Sequence, residues 1–259
     1  MALLMGSNTT PGNRIAVVTG ADRGLGHALA AGLLEKGWRV FAGQYNPEWP
    51  QLSELAATFP GTLSVVPLDV ASADSVRAAA DMIATSTDHV DLLINSAGVM
   101  TPTGTRSIRE EQDYDEMHRL FRVNAMGPLR VVEALLPLLE RGQLKRLCFV
   151  SSEAGSINRA ERKSWFGYCS SKTALNMGVR LLFNRLRPRG YTFRLYHPGW
   201  MRSYMSGDKN STAELEPEEA AVPALAYFLR DRAHDPHLAS RTDEDRLVMR
   251  DWRGVEWPF

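Results

Sequence analysis

The sequence predicts an α/β fold, a single doubly wound domain built on a mainly parallel, seven-stranded sheet flanked by helices. Two observations lead to it. Short β-branched runs of strand length alternate along the chain with longer stretches whose apolar residues recur at helical spacing. Most strand-like runs are apolar at successive positions, as strands buried on both faces of a parallel sheet must be.

The first strand is expected over 14–19 and runs into a glycine-rich turn, after which helix 25–36 ends at Gly37, a residue suited to the left-handed backbone beyond a helix. Strand 39–43, helix 51–58 and strand 63–68 follow, then helix 73–85 with Ser72 placed to cap it. Strand 90–95 leads to a long helical stretch over 111–140. Strand 146–151 leads to another over 167–187, closed by Pro188. Strand 191–196, an irregular stretch over 198–216, helix 217–229 opening on Pro217, and a last strand near 246–249 complete the order. An irregular stretch of that length in a compact domain points to a lid or binding loop. Residues 1–13 read as a loose tail and 14–259 as one domain, since no repeat or linker divides them.

Thirty basic side chains against thirty acidic ones leave no net charge among 259 residues, so nothing draws the whole molecule to nucleic acid or an anionic membrane. No apolar run is long enough to cross a bilayer. The apolar start from Met1 to Met5 is too short for a signal peptide, and a cytoplasmic protein is expected. Cys148 and Cys169 cannot frame a disulfide scaffold, and no Cys/His spacing fits a metal. His234 and His237 flank Pro236, which works against a helix that would align them, so they read as a solvated loop. Cys169 reads as a buried helical cysteine.

The turn after the first strand, from Thr19 to Gly26, places Gly20, Gly24 and Gly26 at a strand-to-helix junction, with Asp22, Arg23 and Leu25 between them. Glycines there permit a tight turn and close backbone approach to a pyrophosphate, which the unpaired N–H groups of the next helix would bind. An acid at the end of the second strand would hold the adenosine ribose hydroxyls and repel a 2′-phosphate. That strand ends instead in Gln44-Tyr45-Asn46, and Arg23 offers a cation, so NADP(H) is preferred over NAD(H). The alternative for Arg23 is a solvated surface residue. Asp69, beside Val70 after the third strand, is placed to accept from the adenine amino group, or is a plain loop acid.

Tyr168 and Lys172 lie four apart on an expected helix and so share a face. A neighbouring ammonium would stabilise the phenolate and make the tyrosine a general acid or base. Ser151-Ser152 ends the fifth strand and Asn95-Ser96-Ala97-Gly98 the fourth, both at the sheet edge where parallel strands bind ligands.

Together these motifs, with Asn124 and Pro198-Gly199, resemble the short-chain dehydrogenase/reductase family across nearly the whole chain. Ser151 to Ile157, the step from Ser152 to Tyr168, His197 to Trp200 and the ending Asp251 to Gly254 are similar to its carbonyl-reductase-like branch, which includes the sniffer and C-factor proteins. The resemblance implies a Rossmann fold and hydride transfer between a nicotinamide and a ketone, aldehyde or alcohol. It implies catalysis by Ser152, Tyr168 and Lys172, with Asn124 holding a water that links Lys172 to solvent. Lys172 would also bond the nicotinamide ribose and lower the tyrosine pKa. Asn95, Ala97 and Gly98 would stabilise the central strand near the cofactor. Pro198, Gly199 and Met201 would meet the carboxamide, and Ser203 the pyrophosphate. A homodimer or homotetramer formed through the two long helices is also implied.

Tyr45 stands where NADP-dependent relatives often carry an arginine, and Ser96 where a second asparagine is common. Glu153, next to Ser152, would disfavour anionic substrates if it faces the cleft, or else points to solvent. Trp165, Phe166, Trp200, Tyr204 and Met205 are candidates for an apolar substrate wall. A second reading of the chain is a cofactor-binding sensor or signalling protein with little catalysis.

Overall fold

Eight strands form one sheet in the order β3-β2-β1-β4-β5-β6-β7-β8 in a computed structural model that describes residues 14–205, 207, 209–230 and 244–259. In chain order the elements are β1 (Ile15–Thr19), α1 (Gly24–Glu35), β2 (Arg39–Gln44), α2 (Gln51–Thr58), β3 (Leu63–Pro67), α3 (Ala73–Ser86) and β4 (Leu92–Asn95). After them come α4 (Tyr114–Phe121), α5 (Gly127–Arg141), β5 (Arg146–Val150), α6 (Phe166–Leu186), β6 (Thr192–His197), α7 (Pro217–Leu229), β7 (Met249–Asp251) and β8 (Glu256–Trp257). The first seven strands pair in parallel, and β8 returns antiparallel along β7.

Each face of the sheet carries its own core. On one side α3, α5 and α6 cover Val17, Phe41, Leu93, Leu147 and Phe149, and on the other α1 and α7 cover Ala16, Val18, Val40, Leu92 and Ile94. This accounts for strands that are apolar at successive positions, because neither face meets water. Chain order reverses between β1 and β4, and the crevice at such a reversal is where open α/β sheets bind ligands.

The local signals act as expected at several ends. Ser72 accepts from the Ser75 amide, Gly37 takes φ +78, and Pro217 opens α7 within a capping box made by Glu216 and Glu219. Three expectations are corrected. The sheet has eight strands rather than seven: β8 is two residues long, too short for any periodic signal, and is set by a turn at Gly254 with φ +81. The last parallel strand is shifted to Met249–Asp251. The stretch over 111–140 is not one helix. Asp113 caps α4 by accepting from the Glu116 amide, and a π-helical turn over Arg122–Met126 separates α4 from α5, whose first turn holds Pro128. The expected tail over 1–13 and the loop at His234 and His237 lie outside the described residues.

Candidate active site

β1, β4, β5 and β6 end on one edge, and the loops leaving them enclose a cavity of about 1200 Å³. A single-ligand pocket usually measures roughly 300–1,000 Å³, so this one has room for a dinucleotide and a substrate together.

The glycine turn forms one end. Gly20 and Gly24 adopt φ +63 and +61, which a side chain would resist. A Cβ on Gly26 would fall 2.0 Å from the Gly20 carbonyl oxygen, and one on Gly20 would fall 2.7 Å from Ala97 Cα, so the turn closes only with glycine at both positions. At Gly24 a Cβ would meet nothing within 4 Å, leaving its backbone open to the cavity. No side chain caps α1, and its first turn holds no acid, so its leading N–H groups are left for an anion. These features fit a dinucleotide pyrophosphate. Thr19 supports the turn by accepting from the amides of Ser96 and Ala97 at 3.1 Å each, a tie the sequence reading missed.

Asp22 is buried, and its carboxylate is spent on the Tyr45 and Asn46 amides, at 2.9 Å and 3.3 Å. It therefore fixes the end of β2 against the glycine turn, while burial pushes its pKa up against those bonds. Arg23 lies with its guanidinium carbon 3.5 Å from the Trp49 ring centre and 4.4 Å from that of Tyr204, and it donates to the Tyr204 carbonyl. Tyr204 is thus at the nucleotide end, contrary to its expected place on a substrate wall. Tyr45 is exposed on the cavity rim, and Asp69, which accepts from the Ala71 amide at 2.8 Å, lines the cavity with Val70.

The reacting end is set by β5 and α6. Ser152 leaves β5, and its hydroxyl accepts from the Ala154 amide at 3.1 Å. Tyr168 and Lys172 share the buried face of α6. Burial pushes the Tyr168 phenol up to about 12, opposed chiefly by a hydrogen bond with the Ser152 side chain. Burial pulls Lys172 down to about 8. The Lys172 ammonium donates to the Val150 carbonyl at 3.0 Å and lies 5.8 Å from the phenol ring centre. Desolvation is the largest influence on the phenol, which keeps its proton.

Pro198, Gly199, Met201, Ser203, Ala97 and Gly98 line the cavity as expected, and a Cβ on Gly98 would stand 3.7 Å from Lys172 Nζ. Asn95 and Asn124 do not line it. Asn95 donates to the Cys148 carbonyl, joining β4 to β5. Asn124, in the π-helical turn, donates to the Val99 carbonyl (2.9 Å) and Ser171 Oγ (3.1 Å) and accepts from the Val99 amide (2.9 Å), so its side-chain donors are spent within the protein. Glu153 does line the cavity, but Arg162 pairs with both of its oxygens, at 2.6 and 3.3 Å. Trp165 packs edge-on against Tyr168, with ring centres 6.0 Å apart, and takes φ +67 at the start of α6. Trp200 and Met205 also line the cavity, whereas Phe166 does not. Cys169 is half-buried rather than buried, and partial desolvation raises its pKa.

Several lining residues escaped the sequence reading as site residues: Trp49, Arg119, Arg122, Arg162, His197, Trp252, Arg253 and Trp257. They come from α4 (Arg119), the π-helical turn (Arg122), the end of β6 (His197), loops and the β7–β8 hairpin; His197, Trp252 and Arg253 fall in stretches that carry the branch likeness, but nothing local in the sequence marks any of the eight as cavity-lining.

Residues 14–214 match the family model for short chain dehydrogenases. The chain belongs to that family. A short-chain dehydrogenase with this cavity is an oxidoreductase on a Rossmann domain. C-signal of Myxococcus xanthus is 44% identical over 121 residues, covering 47% of this chain and 71% of that protein. An uncharacterised oxidoreductase of Schizosaccharomyces pombe is 30% identical over 209 residues, covering 80% and 81%. The NADPH-bound carbonyl reductase from chicken fatty liver superposes with a TM-score of 0.79 at 28% identity, covering 95% of this dehydrogenase and 99% of that chain. The dehydrogenase is thus carbonyl-reductase-like in fold and sequence. No helix among its described residues is long and apolar enough to cross a membrane.

Proposed function

We propose that this dehydrogenase is an NADP(H)-dependent reductase of ketones or aldehydes, able to run in reverse on the corresponding alcohols. The observation that carries the reading is that Ser152, Tyr168 and Lys172 together line one wall of a cavity whose far end is a glycine turn carrying Arg23.

NADPH would supply the hydride. Tyr168 donates its proton to the carbonyl oxygen as negative charge develops there, and the Ser152 hydroxyl holds that oxygen by a bond that strengthens with the charge. Lys172, anchored on the Val150 carbonyl and adjoining Gly98, holds a cation where a nicotinamide ribose would lie. Asn124 acts as a positioning residue, fixing Val99 and the Ser171 turn of α6. The resemblance gives it a water; with its side-chain donors spent, such a water would have to be met elsewhere on this residue.

The preference for NADP(H) over NAD(H) rests on Arg23 and on the end of β2, where Gln44-Tyr45-Asn46 carries no acid and the nearby Asp22 carboxylate is engaged by the Tyr45 and Asn46 amides. The supporting relatives include the NADPH-bound carbonyl reductase. We further propose a small-molecule substrate, a cytoplasmic location, and pairing of chains through α5 and α6. The last is supported by the exposed apolar side chains Leu129, Met177 and Leu181. A purely signalling role has the C-signal likeness behind it, but a protein that only binds has no use for Ser152, Tyr168 and Lys172 together.

Replacing Tyr168 by Phe tests the reading. NADPH oxidation across a panel of carbonyls should fall by at least about a hundredfold while NADPH binding persists. Undiminished turnover would refute the assignment.

A further inference from the structure

The substrate end of the cavity carries a charge that the proton and hydride steps do not use. Its wall is the β7–β8 hairpin. Trp252 and Trp257 stand edge-on to His197, with ring centres at 5.3 and 5.8 Å, and Gly199, at φ +81, lets the Trp252 ring approach to 2.8 Å from where a Cβ would stand. Asp251 holds the hairpin tip rigid. It accepts from the amides of Arg253 and Val255 at 2.9 Å each and from the Trp257 indole at 3.1 Å. The chain end is also tied to the loop that follows Ser152, through Asn158 and the Phe259 carbonyl at 3.1 Å and through Ser156 and the Pro258 carbonyl.

Arg253 is therefore presented by fixed backbone. Its guanidinium lies 4.5 Å from the centre of the Trp252 ring, it lines the cavity, and it meets no carboxylate or carbonyl among the described residues. The Asp251 carboxylate of the same hairpin is engaged by the tip's amides and the Trp257 indole rather than by the Arg253 guanidinium. Arg162 and Glu153 cancel one another, and burial holds the His197 imidazole down to about 4, so it is uncharged at neutral pH. Arg253 is thus an exposed cation at the cavity rim, beside an indole wall.

We infer that Arg253, seated on Trp252, is a specificity-determining residue that binds the carboxylate of a flat, apolar carbonyl substrate. Stacking occupies one face of the guanidinium and leaves its in-plane N–H groups for two-point bonding to a carboxylate. The inference deepens the carbonyl-reductase reading and rests on it for its kinetic test.

The test compares NADPH-dependent reduction of 4-carboxybenzaldehyde and 4-methylbenzaldehyde by the native chain, Arg253→Gln and Arg253→Lys. The native protein should favour the carboxylated aldehyde by about tenfold in kcat/KM, mainly through KM. The advantage should shrink with added salt, vanish in Arg253→Gln and return in part in Arg253→Lys. A native preference for the neutral aldehyde, or one for the carboxylate that survives Arg253→Gln, overturns the inference. If neither aldehyde turns over, the failure counts against both as substrates, and calorimetry with NADPH present reads Arg253 on its own. There 4-methylbenzoate should bind more tightly than 4-methylbenzamide to the native chain but not to Arg253→Gln, and equal native affinities would overturn the inference.

Discussion

Burial shifts Tyr168 and Lys172 in opposite directions, one up to about 12 and the other down to about 8, because each loses the charged form that water would stabilise. For Lys172 this is a stability cost. A lysine titrating near 8 instead of 10.5 disfavours folding at neutral pH by about 3 kcal/mol, at about 1.4 kcal/mol per pH unit. Lys172→Met should therefore raise the unfolding free energy at pH 7 by about 2 kcal/mol, after about 1 kcal/mol is deducted for the lost bond to the Val150 carbonyl. Between pH 8 and 10.5 the unfolded chain holds more protons than the folded one, so native stability rises with pH and the gap to the variant narrows. Denaturant midpoints at pH 7 and pH 9.5 check both signs. The same titration predicts that carbonyl reduction declines as pH passes about 8, whereas the Tyr168 proton stays in place.

Among the elements, the glycine turn and the π-helical turn do most to shape the site. Gly26→Ala would drive a methyl into the Gly20 carbonyl, so it should both weaken NADPH binding by more than about tenfold and destabilise α1 by roughly 1–3 kcal/mol. Binding titration alongside thermal unfolding separates the two effects. The glycine turn was legible in the sequence because only glycine satisfies its geometry. The π-helical turn was not, since 111–140 keeps helical spacing on both sides of the break and only the Asn124 bonds to Val99 show why the turn is held open.

Across the whole molecule, β6 is tied to the end of the chain by a buried cluster in which Glu244 meets both Arg194 and Arg146, all three side chains at most 5% exposed. Glu244→Ala leaves two buried guanidinium groups without their carboxylate and should cost about 3–5 kcal/mol, read from denaturant unfolding. At the outer face, Leu181→Glu places a charge among Leu129, Met177 and Leu181. If chains pair there, light scattering should show the assembly dissociate to monomers while the monomer's fold is retained.

By itself the sequence determined the parallel core, the glycine turn and the Ser152, Tyr168 and Lys172 set, because each depends on local residue type at fixed spacing. The tertiary structure alone decided the rest. It engaged the Asp22 carboxylate with the Tyr45 and Asn46 amides, set Tyr204 against Arg23, paired Glu153 with Arg162 and brought Trp252, Arg253 and Trp257 from the end of the chain to the cavity wall. The reason is physical: burial and charge at these positions come from residues up to about 180 apart in sequence, and no local spacing encodes which of them meet.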